Sequence, residues 1–447
     1  MKSKYFNKRA TFFCMLFFGM FQSAFALLPI ETLDEANGAK AFLIQTKTLP
    51  MVDIEVSIDA GAQYDPTGKA GLASMTAQLL SYGINLEKGV LGEEQIADEI
   101  AELGATIGTF AGGERTVLRI RSLSRKDLRD RAVRLAAMML ASPTFDAKIL
   151  HREKQRISTA LLEAETKPES VLDKNFRKVV YKNYPLSQSP TVKSINGVEI
   201  SDLKSFHKQF YRGDRIIVSI VGNVDRSEAN EIVRVLTQRL SNSGPAVPKL
   251  PKFQISPIEP LDLRETKIPF DTQQTHIAMG MTAITRSNPD YFPLLVGNYV
   301  LGGGGFVSRL MLEVREKRGL AYSVFSYFTP GKDSGIFQAG LQTRNDQAAL
   351  ALQVLQETIG KFIAEGPTND ELIAAKANLV NGYPLRLDSN RKLLDNLSAI
   401  SWNGLPLDTM EVWTKNVDAV SLDQVRSAFK RHLDINRMQI VVVGALK

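Results

Sequence analysis

The residues of this chain best suited to chemistry lie in the stretch 301–324, where Arg315 and Tyr322 are seven positions apart. Arginine presents five hydrogen-bond donors in a planar fork, and a tyrosine hydroxyl can donate to a developing oxyanion. An isolated pair of this kind more often has only a structural role, as a basic residue at the end of a helix followed by an aromatic residue on a strand. The functional reading therefore depends on what surrounds the pair.

The surrounding residues predict a helix followed by a strand. Four glycines come first, and in the helical pattern after them Phe306, Leu310 and Val314 share one face. Gly319 supplies a left-handed stop, and the β-prone stretch 320–328 predicts a strand. Arg315 is thus predicted on the last helical turn and Tyr322 on the strand, so that both side chains converge on one point. The glycines are Gly302, Gly303, Gly304 and Gly305.

The stretch 301–324 resembles the second-half signature of the pitrilysin/insulinase family of zinc peptidases, including that family's arginine–tyrosine pair at this spacing. The resemblance implies that Arg315 and Tyr322 hold the substrate backbone, and that the glycine run is a mobile wall of a peptide chamber. Close backbone packing is a compatible role for the glycines. A nucleotide loop is disfavoured because the run lacks the Gly-Lys-Ser/Thr ending.

The first half resembles the same family in the sequence that surrounds the zinc-binding positions, but not in the residues at those positions. Family peptidases carry H-x-x-E-H on one helix and a glutamate ligand on a second, because two histidines at i and i+4 grip one zinc and the glutamate between them activates water. Here Ser74 and Gln78 replace the histidines, Ala77 replaces the base, and Ala160 replaces the third ligand. We therefore expect no catalytic zinc and no other cofactor in this chain.

No other part of the sequence offers a replacement catalytic centre. The four histidines are widely separated; His207 and His432 occupy matching helices and are assigned structural roles, and His151 is expected to be solvated. A G-x-S-x-G elbow is absent, and the single cysteine, Cys14, lies in the N-terminal segment. Alone, the chain is expected not to cleave peptides.

The two halves of the chain end alike. Each has an amphipathic helix, a short polar turn and a buried β-branched strand stopped by glycine, at Gly222 in the first half and at Gly444 in the second. Prolines interrupt the stretch 241–262, which predicts an extended tether. We predict an α+β protein with domains at 27–240 and 263–447 related by internal duplication. The resemblance implies that each is an α/β roll with an antiparallel-rich sheet, the two facing each other like a shell.

Residues 1–26 have the pattern of a secretory signal peptide: a basic start, a short apolar core, and a small-x-small site ending at Ala26. Export to the periplasm without a lipid or membrane anchor is the expectation. The chain carries a formal charge of +7, but its basic residues alternate with acidic ones and form no stripe, which argues against nucleic acid.

Some bacterial members of the family divide the two motifs between two chains, and this sequence resembles the chain that carries the arginine–tyrosine pair. The resemblance implies a zinc-bearing homologous partner, with peptides or unfolded segments as substrates. An exposed sheet edge at Ala105–Ala111 is the candidate for binding an extended peptide. The alternative is a non-enzymatic scaffold or peptide-holding protein of the same fold. An active single-chain zinc peptidase ranks last.

Overall fold

The computed structural model describes residues 28–333 and 335–445. The predicted signal peptide lies outside these residues. Within the described ranges, every helix is too short or too polar to cross a membrane. The architecture consists of two sheets, each packed between helices.

The first half builds a six-stranded sheet in the order β1-β2-β8-β3-β7-β6, in which neighbouring strands are antiparallel except for the parallel pair β2–β8. A separate two-stranded ribbon, β4–β5, lies beside it. The elements are β1 Glu31–Thr32, β2 Lys40–Gln45, β3 Met51–Ile58, α1 Leu72–Leu79, β4 Gly83–Asn85, β5 Val90–Gly92, α2 Glu93–Glu102, β6 Thr106–Ala111, β7 Thr116–Leu123, α3 Lys126–Ala141, α4 Ala147–Ala164, α5 Pro168–Tyr181, α6 Val192–Asn196, α7 Ile200–Phe210, β8 Ile216–Gly222 and α8 Arg226–Thr237.

The second half builds a five-stranded sheet in the order β11-β12-β10-β13-β9, antiparallel except for β13–β9. Two π-helical stretches, Tyr299–Gly303 and Met311–Glu316, lie between α10 and β11. The other elements are α9 Leu261–Arg264, β9 Glu265–Pro269, β10 Gln274–Thr282, α10 Tyr291–Asn298, β11 Ala321–Pro330, β12 Gly335–Arg344, α11 Ala348–Glu365, α12 Asn369–Asn381, α13 Asn390–Asn403, α14 Thr409–Asp418, α15 Leu422–His432 and β13 Gln439–Gly444.

The two sheets confirm the predicted fold class and the internal duplication. Apart from the short strand β1, the strand orders β2-β8-β3-β7-β6 and β9-β13-β10-β12-β11 are the same. The registers agree as well, because Val221 of β8 faces Asp53 and Val443 of β13 faces His276, each valine standing immediately before the glycine that ends its strand. Each sheet is mixed and mostly antiparallel, as predicted.

Each half lends one helix to the sheet of the other half. Phe176 and Val180 of α5 are buried against Val441 and Val443 of the second sheet. Leu394, Leu397 and Ile400 of α13 are buried with Ile44 and Val221 of the first sheet. The exchange leaves both faces of each sheet covered, which explains why the central strands are almost continuously buried. Periodicity along the chain carries no information about which sheet a helix will cover.

The proline-rich stretch 241–262 has no helix or strand until α9 begins at Leu261, and it is docked on the rest of the chain. The backbone carbonyl of Pro245 accepts a hydrogen bond from Arg212 in the first half. Glu259 accepts from Lys182 of the first half and from Gln439 of the second. The stretch therefore runs along the surface of both halves, because its carbonyls and side chains find partners there.

Candidate functional site

The helix that carries Arg315 spans residues 309–316, and its last six residues, Met311–Glu316, have π-helical hydrogen bonding; we call it the arginine helix. Leu310 and Val314 of this helix are fully buried and anchor it to the second core. The guanidinium carbon of Arg315 lies 4.9 Å from the centre of the Tyr322 ring and 4.8 Å from the centre of the Phe306 ring. The structure thus brings Arg315 and Tyr322 together, with the guanidinium lying between two aromatic rings.

The cluster of Phe306, Arg315 and Tyr322, which we call the Arg315 cluster, is open to solvent. Tyr322 is 82% exposed and Phe306 is 69% exposed, values far above those usual for large aromatic residues. Val307 and Leu312 nearby are also exposed. Exposed aromatic and aliphatic side chains around a guanidinium are typical of a binding surface.

A β-bulge turns Tyr322 outward. Ala321 pairs with Thr343 and Val324 pairs with Leu341, so β11 has one residue more than β12 over this interval. The extra residue leaves both Tyr322 and Ser323 exposed between two buried neighbours. Gly319 has a φ of +61°, the left-handed stop that the sequence predicts. The stop and the bulge together fix the angle at which Tyr322 meets the arginine helix.

The glycine run ends one helix and does not begin the next, contrary to the sequence prediction. The helix α10 continues through the π-helical stretch into Gly303, and a 3₁₀ turn, Gly305–Val307, separates it from the arginine helix. Phe306 therefore lies outside the helical face that Leu310 and Val314 share, and it points to solvent instead. The prediction failed because the sequence pattern does not reveal that a separate turn intervenes.

Gly302 is required by close packing, one of the two roles predicted for the run. A Cβ atom at this position would lie 2.4 Å from the Ser326 hydroxyl oxygen and 2.5 Å from the Ser326 backbone nitrogen. The backbone of the run thus approaches β11 more closely than any other residue type permits. The second role, a mobile chamber wall, remains a prediction.

The positions at which family peptidases carry their zinc ligands lie on α1 and α4, and in this chain other residue types stand there. The Gln78 amide donates to Glu153 at 2.5 Å and to the Tyr82 hydroxyl oxygen at 3.2 Å. Glu153 is buried and also accepts from Arg152 at 2.9 Å and from Arg156 at 2.7 Å. An amide, a carboxylate and two guanidiniums thus form a polar network between the two helices. The sequence analysis did not predict this network, because it depends on how α1 and α4 pack against each other.

Zinc does not fit this set of residues. Ser74 and Ala160 are exposed, and a hydroxyl, an amide and a methyl group are poor ligands or none. The nearby carboxylate of Glu153 already accepts from three donors. Across residues 28–333 and 335–445 there is no group of three or more histidine, cysteine, aspartate or glutamate residues arranged to hold a metal ion.

The predicted sheet edge exists. Strand β6 pairs with β7 on one side and is the last strand of its sheet. The Thr109 hydroxyl donates to the backbone carbonyl of Ala77 at 2.7 Å, which places this edge beside α1. Strand β11, which carries Tyr322, is likewise the last strand of the second sheet. The second edge was not predicted, because the sequence does not indicate strand order.

The histidines have the settings that the sequence predicts. Nε2 of His207 lies 2.7 Å from the Leu140 carbonyl oxygen, and burial lowers the pKa of His207 despite this hydrogen bond. Nε2 of His432 lies 2.7 Å from a carboxylate oxygen of Asp290. His151 is exposed. The first two join neighbouring elements, which agrees with structural roles.

Comparison with known proteins gives two family matches that together span most of the chain. Residues 40–192 match the model "Insulinase (Peptidase family M16)", and residues 197–379 match the model "Peptidase M16 inactive domain". A Helicobacter pylori protein named "Non-peptidase homolog YmxG" is 27% identical over 426 residues, covering 93% of this chain and 94% of that protein.

Solved structures agree with these matches. The crystal structure of a peptidase M16 inactive domain from Pseudomonas fluorescens has a TM-score of 0.88 and 31% identity, covering 94% of this chain and 98% of that one. A chain of complex III2 from Candida albicans has a TM-score of 0.75 and 14% identity, covering 93% of this chain and 96% of that one. At 14% identity the second likeness concerns the fold alone.

Proposed function

This chain is a non-catalytic member of the insulinase family, peptidase family M16, and we propose that it serves as the substrate-holding subunit of an exported zinc peptidase. In this proposal a homologous partner carries H-x-x-E-H and the zinc. This chain contributes Arg315 and Tyr322. The observation that carries the proposal is the exposed Arg315 cluster on a chain whose ligand positions are Ser74, Gln78 and Ala160.

The Arg315 cluster is suited to hold a peptide backbone near a reacting carbonyl. A guanidinium donates to carbonyl oxygens from a rigid fork, and a phenol can donate to the oxyanion of a tetrahedral intermediate. Stacking between Phe306 and Tyr322 holds the Arg315 side chain in position, at ring distances of 4.8 and 4.9 Å. A partner that closes over the cluster would exclude water and strengthen these interactions.

The partner would supply the group that activates water. The partner is proposed from the family resemblance, in which some bacterial members divide the two motifs between two chains, and a chain of complex III2 shares the fold alone at a TM-score of 0.75. The exposed side chains of Phe306, Val307 and Leu312 around the cluster give a partner an apolar surface to cover. Peptides or unfolded segments are the proposed substrates, and the free edge of β6 beside α1 is a second place where an extended chain can pair.

Export to the periplasm is part of the proposal and is supported by the signal-like pattern of residues 1–26. A non-enzymatic role in holding peptides is the alternative, and the name "Non-peptidase homolog" of the Helicobacter pylori relative favours it. The two functions differ in whether the chain accelerates cleavage by a partner.

The experiment mixes this chain with a zinc-bearing homologue from the same host and measures peptide cleavage and zinc per chain. We expect no cleavage and no stoichiometric zinc for this chain alone, and cleavage by the mixture. Tyr322→Phe should lower the turnover of the mixture about a hundredfold, because one oxyanion donor is lost. Arg315→Ala should lower it at least as much.

Arg318→Ala is the matched control, because Arg318 lies just beyond the same helix but donates to Glu313 instead of joining the cluster. It should leave turnover unchanged. Cleavage by the mixture at the same rate with Tyr322→Phe and Arg315→Ala would refute the role of the pair. Cleavage by this chain alone with bound zinc would refute the divided site. Binding without any acceleration would favour the peptide-holding alternative.

A further inference from the structure

The contacts between each sheet and the helix lent by the other half are equivalent in geometry but differ in charge. In the first half, the Arg119 guanidinium lies between the sheet and α13, donating to Glu55 at 2.8 Å and to Asp395 of α13 at 2.7 Å. Glu55 is fully buried and Asp395 is about half exposed. The helix carboxylate is thus neutralised by an arginine from the sheet.

In the second half that arginine is missing. Arg119 pairs with Glu55 in the first sheet, and at the corresponding register of the second sheet Gly340 pairs with Ala278. The sequence offset that relates Gly444 to Gly222 also relates Asp395 of α13 to Asp173 of α5. On the sheet covered by Asp173 a glycine therefore stands at the register where the sheet covered by Asp395 has a guanidinium.

A cleft of about 370 Å³ is open at this place, between the N-terminal part of α5 and strands β10, β11 and β12. Asp173 and Glu169 lie on its helix side. Neither carboxylate has an ion-pair partner in the described part of the chain. The cleft therefore has a negative wall with no fixed cation, unlike its counterpart in the first half.

Two aromatic rings form the opposite wall. Phe325 and Tyr327 stack with their centres 5.4 Å apart and their planes 8° apart, and the Tyr327 hydroxyl donates to Gln338 at 2.9 Å. In the first half the Arg119 guanidinium lies over the Phe110 ring, at 5.8 Å. Phe110 and Tyr327 occupy the same register on their edge strands. The aromatic partner of the arginine is thus retained although the arginine is not.

His276 gives an independent indication of a ligand. It is 6% exposed, lines the cleft and has no hydrogen-bond partner among the described residues. Burial lowers its pKa, although the charge of Glu169 opposes this. A neutral imidazole has one ring nitrogen free to accept a hydrogen bond. No described residue pairs with this imidazole, and it lines the cleft, so a ligand bound there can supply its hydrogen-bond partner.

We propose that this cleft binds the guanidinium of an arginine side chain on an extended polypeptide, with Asp173 and Glu169 as its ion-pair partners and the Phe325–Tyr327 stack as its aromatic wall. A guanidinium combines the three properties that the walls require: positive charge, planarity for stacking, and several donors. Strand β11, on which the stack lies, is a sheet edge, so a polypeptide backbone can approach it. The site lies in the cleft under α5 and is independent of the proposed zinc-bearing partner.

The test titrates the full chain with three blocked pentapeptides, Gly-Ser-Xaa-Ser-Gly, in which the central residue is arginine, lysine or the neutral isostere citrulline. Binding is measured by ligand-observed NMR. We expect the arginine peptide to bind about tenfold more tightly than the citrulline peptide, because the neutral side chain loses the solvent-screened ion pairs with Asp173 and Glu169. The lysine peptide should bind more weakly than the arginine peptide because an ammonium does not stack. Equal binding of all three would overturn the proposal, and equal binding of arginine and lysine would overturn the guanidinium assignment.

Two variants locate the site. Asp173→Asn should weaken binding of the arginine peptide about fivefold to tenfold and leave the citrulline peptide unaffected. Glu165→Gln is the matched control, because Glu165 is a nearby exposed carboxylate that pairs with Lys174 and does not line the cleft. The double variant Phe325→Gly with Gly340→Arg copies the Gly108–Arg119 pair of the first half, so it should fill the cleft and abolish binding. Unchanged binding in Asp173→Asn would place the arginine elsewhere and overturn the proposal.

Discussion

Replacing Glu55 by glutamine should weaken the junction between the two halves more than any change at a surface charge. Glu55 lies on β3 with a fully buried side chain. Its carboxylate accepts from Arg119 at 2.8 Å and from the Ser57 hydroxyl at 2.8 Å, and it also accepts from the Ser398 hydroxyl of α13. One buried charge therefore joins the first sheet to a helix of the second half.

The expected loss follows from burial and pairing. Burial by itself raises the pKa of Glu55, but the charge of Arg115, the Ser398 hydroxyl and the charge of Arg119 outweigh it, so the pKa is lowered. A lowered pKa means that the carboxylate stabilises the fold above its unfolded pKa of 4.5 and that this stabilisation is lost as the pH falls through the folded value. At neutral pH, Glu55→Gln leaves the two arginines without their common partner, at a cost of about 3 kcal/mol in the free energy of unfolding.

The assay is urea unfolding followed by tryptophan fluorescence and circular dichroism. Trp402 of α13 is 6% exposed and lies 5.2 Å from the Arg115 guanidinium, so its emission reports the junction. Asp395→Asn is the matched control, because Asp395 pairs with the same Arg119 but is 48% exposed, and its loss should cost less than about 1 kcal/mol. A Glu55→Gln effect no larger than that of Asp395→Asn would refute the reasoning.

Two further predictions concern single positions. Gly302→Ala should destabilise the protein by about 2 kcal/mol in thermal unfolding, because the new methyl group meets Ser326 at 2.4–2.5 Å. The control is Gly360→Ala in α11, where a methyl group meets nothing within 4 Å, and it should be neutral or slightly stabilising. Equal effects of the two substitutions would contradict the packing argument. Burial raises the pKa of Asp65 to about 6, against the backbone hydrogen bonds that lower it. The contribution of this raised pKa to the free energy of unfolding is therefore fully present below pH 3.8, and it is lost as the pH rises through about 6. The stability of Asp65→Asn relative to the wild type, measured by urea unfolding, should accordingly rise between pH 5 and pH 7.5, and no change in that difference would show that Asp65 does not titrate there.

Much of the fold could be predicted from local pattern. The amphipathic helices and glycine-stopped strands at Gly222 and Gly444 indicated the duplication, and the two sheets have the same strand order. These predictions succeeded because helix and strand periodicities are properties of neighbouring residues. The prediction for Phe306 failed because a short turn, Gly305–Val307, interrupts the pattern at the point where the helix was expected to begin.

Some of the candidate site could be predicted in the same way. Arg315 and Tyr322 were singled out by type and spacing, and the structure places the guanidinium 4.9 Å from the ring. The loss of zinc ligands at Ser74, Gln78 and Ala160 could also be predicted from the sequence, because the ability to bind zinc depends on residue type. The sequence could not predict the hydrogen-bond network between Gln78 and Glu153. These residues are far apart along the chain, and the network depends on how α1 and α4 pack.

By itself the sequence determined which groups the chain possesses: a glycine stop at Gly319, an arginine and a tyrosine seven positions apart at Arg315 and Tyr322, and no zinc ligands at the family positions. The tertiary structure alone decided which of these groups meet. It exchanged α5 and α13 between the halves and turned Tyr322 outward at a bulge. It also left Asp173 and Gly340 lining one cleft, whereas the counterpart of Asp173 accepts a hydrogen bond from Arg119. The physical reason is that residue type sets the chemistry of a side chain, whereas its partners are set by long-range packing, in which buried surface and charge from distant parts of the chain must be satisfied together.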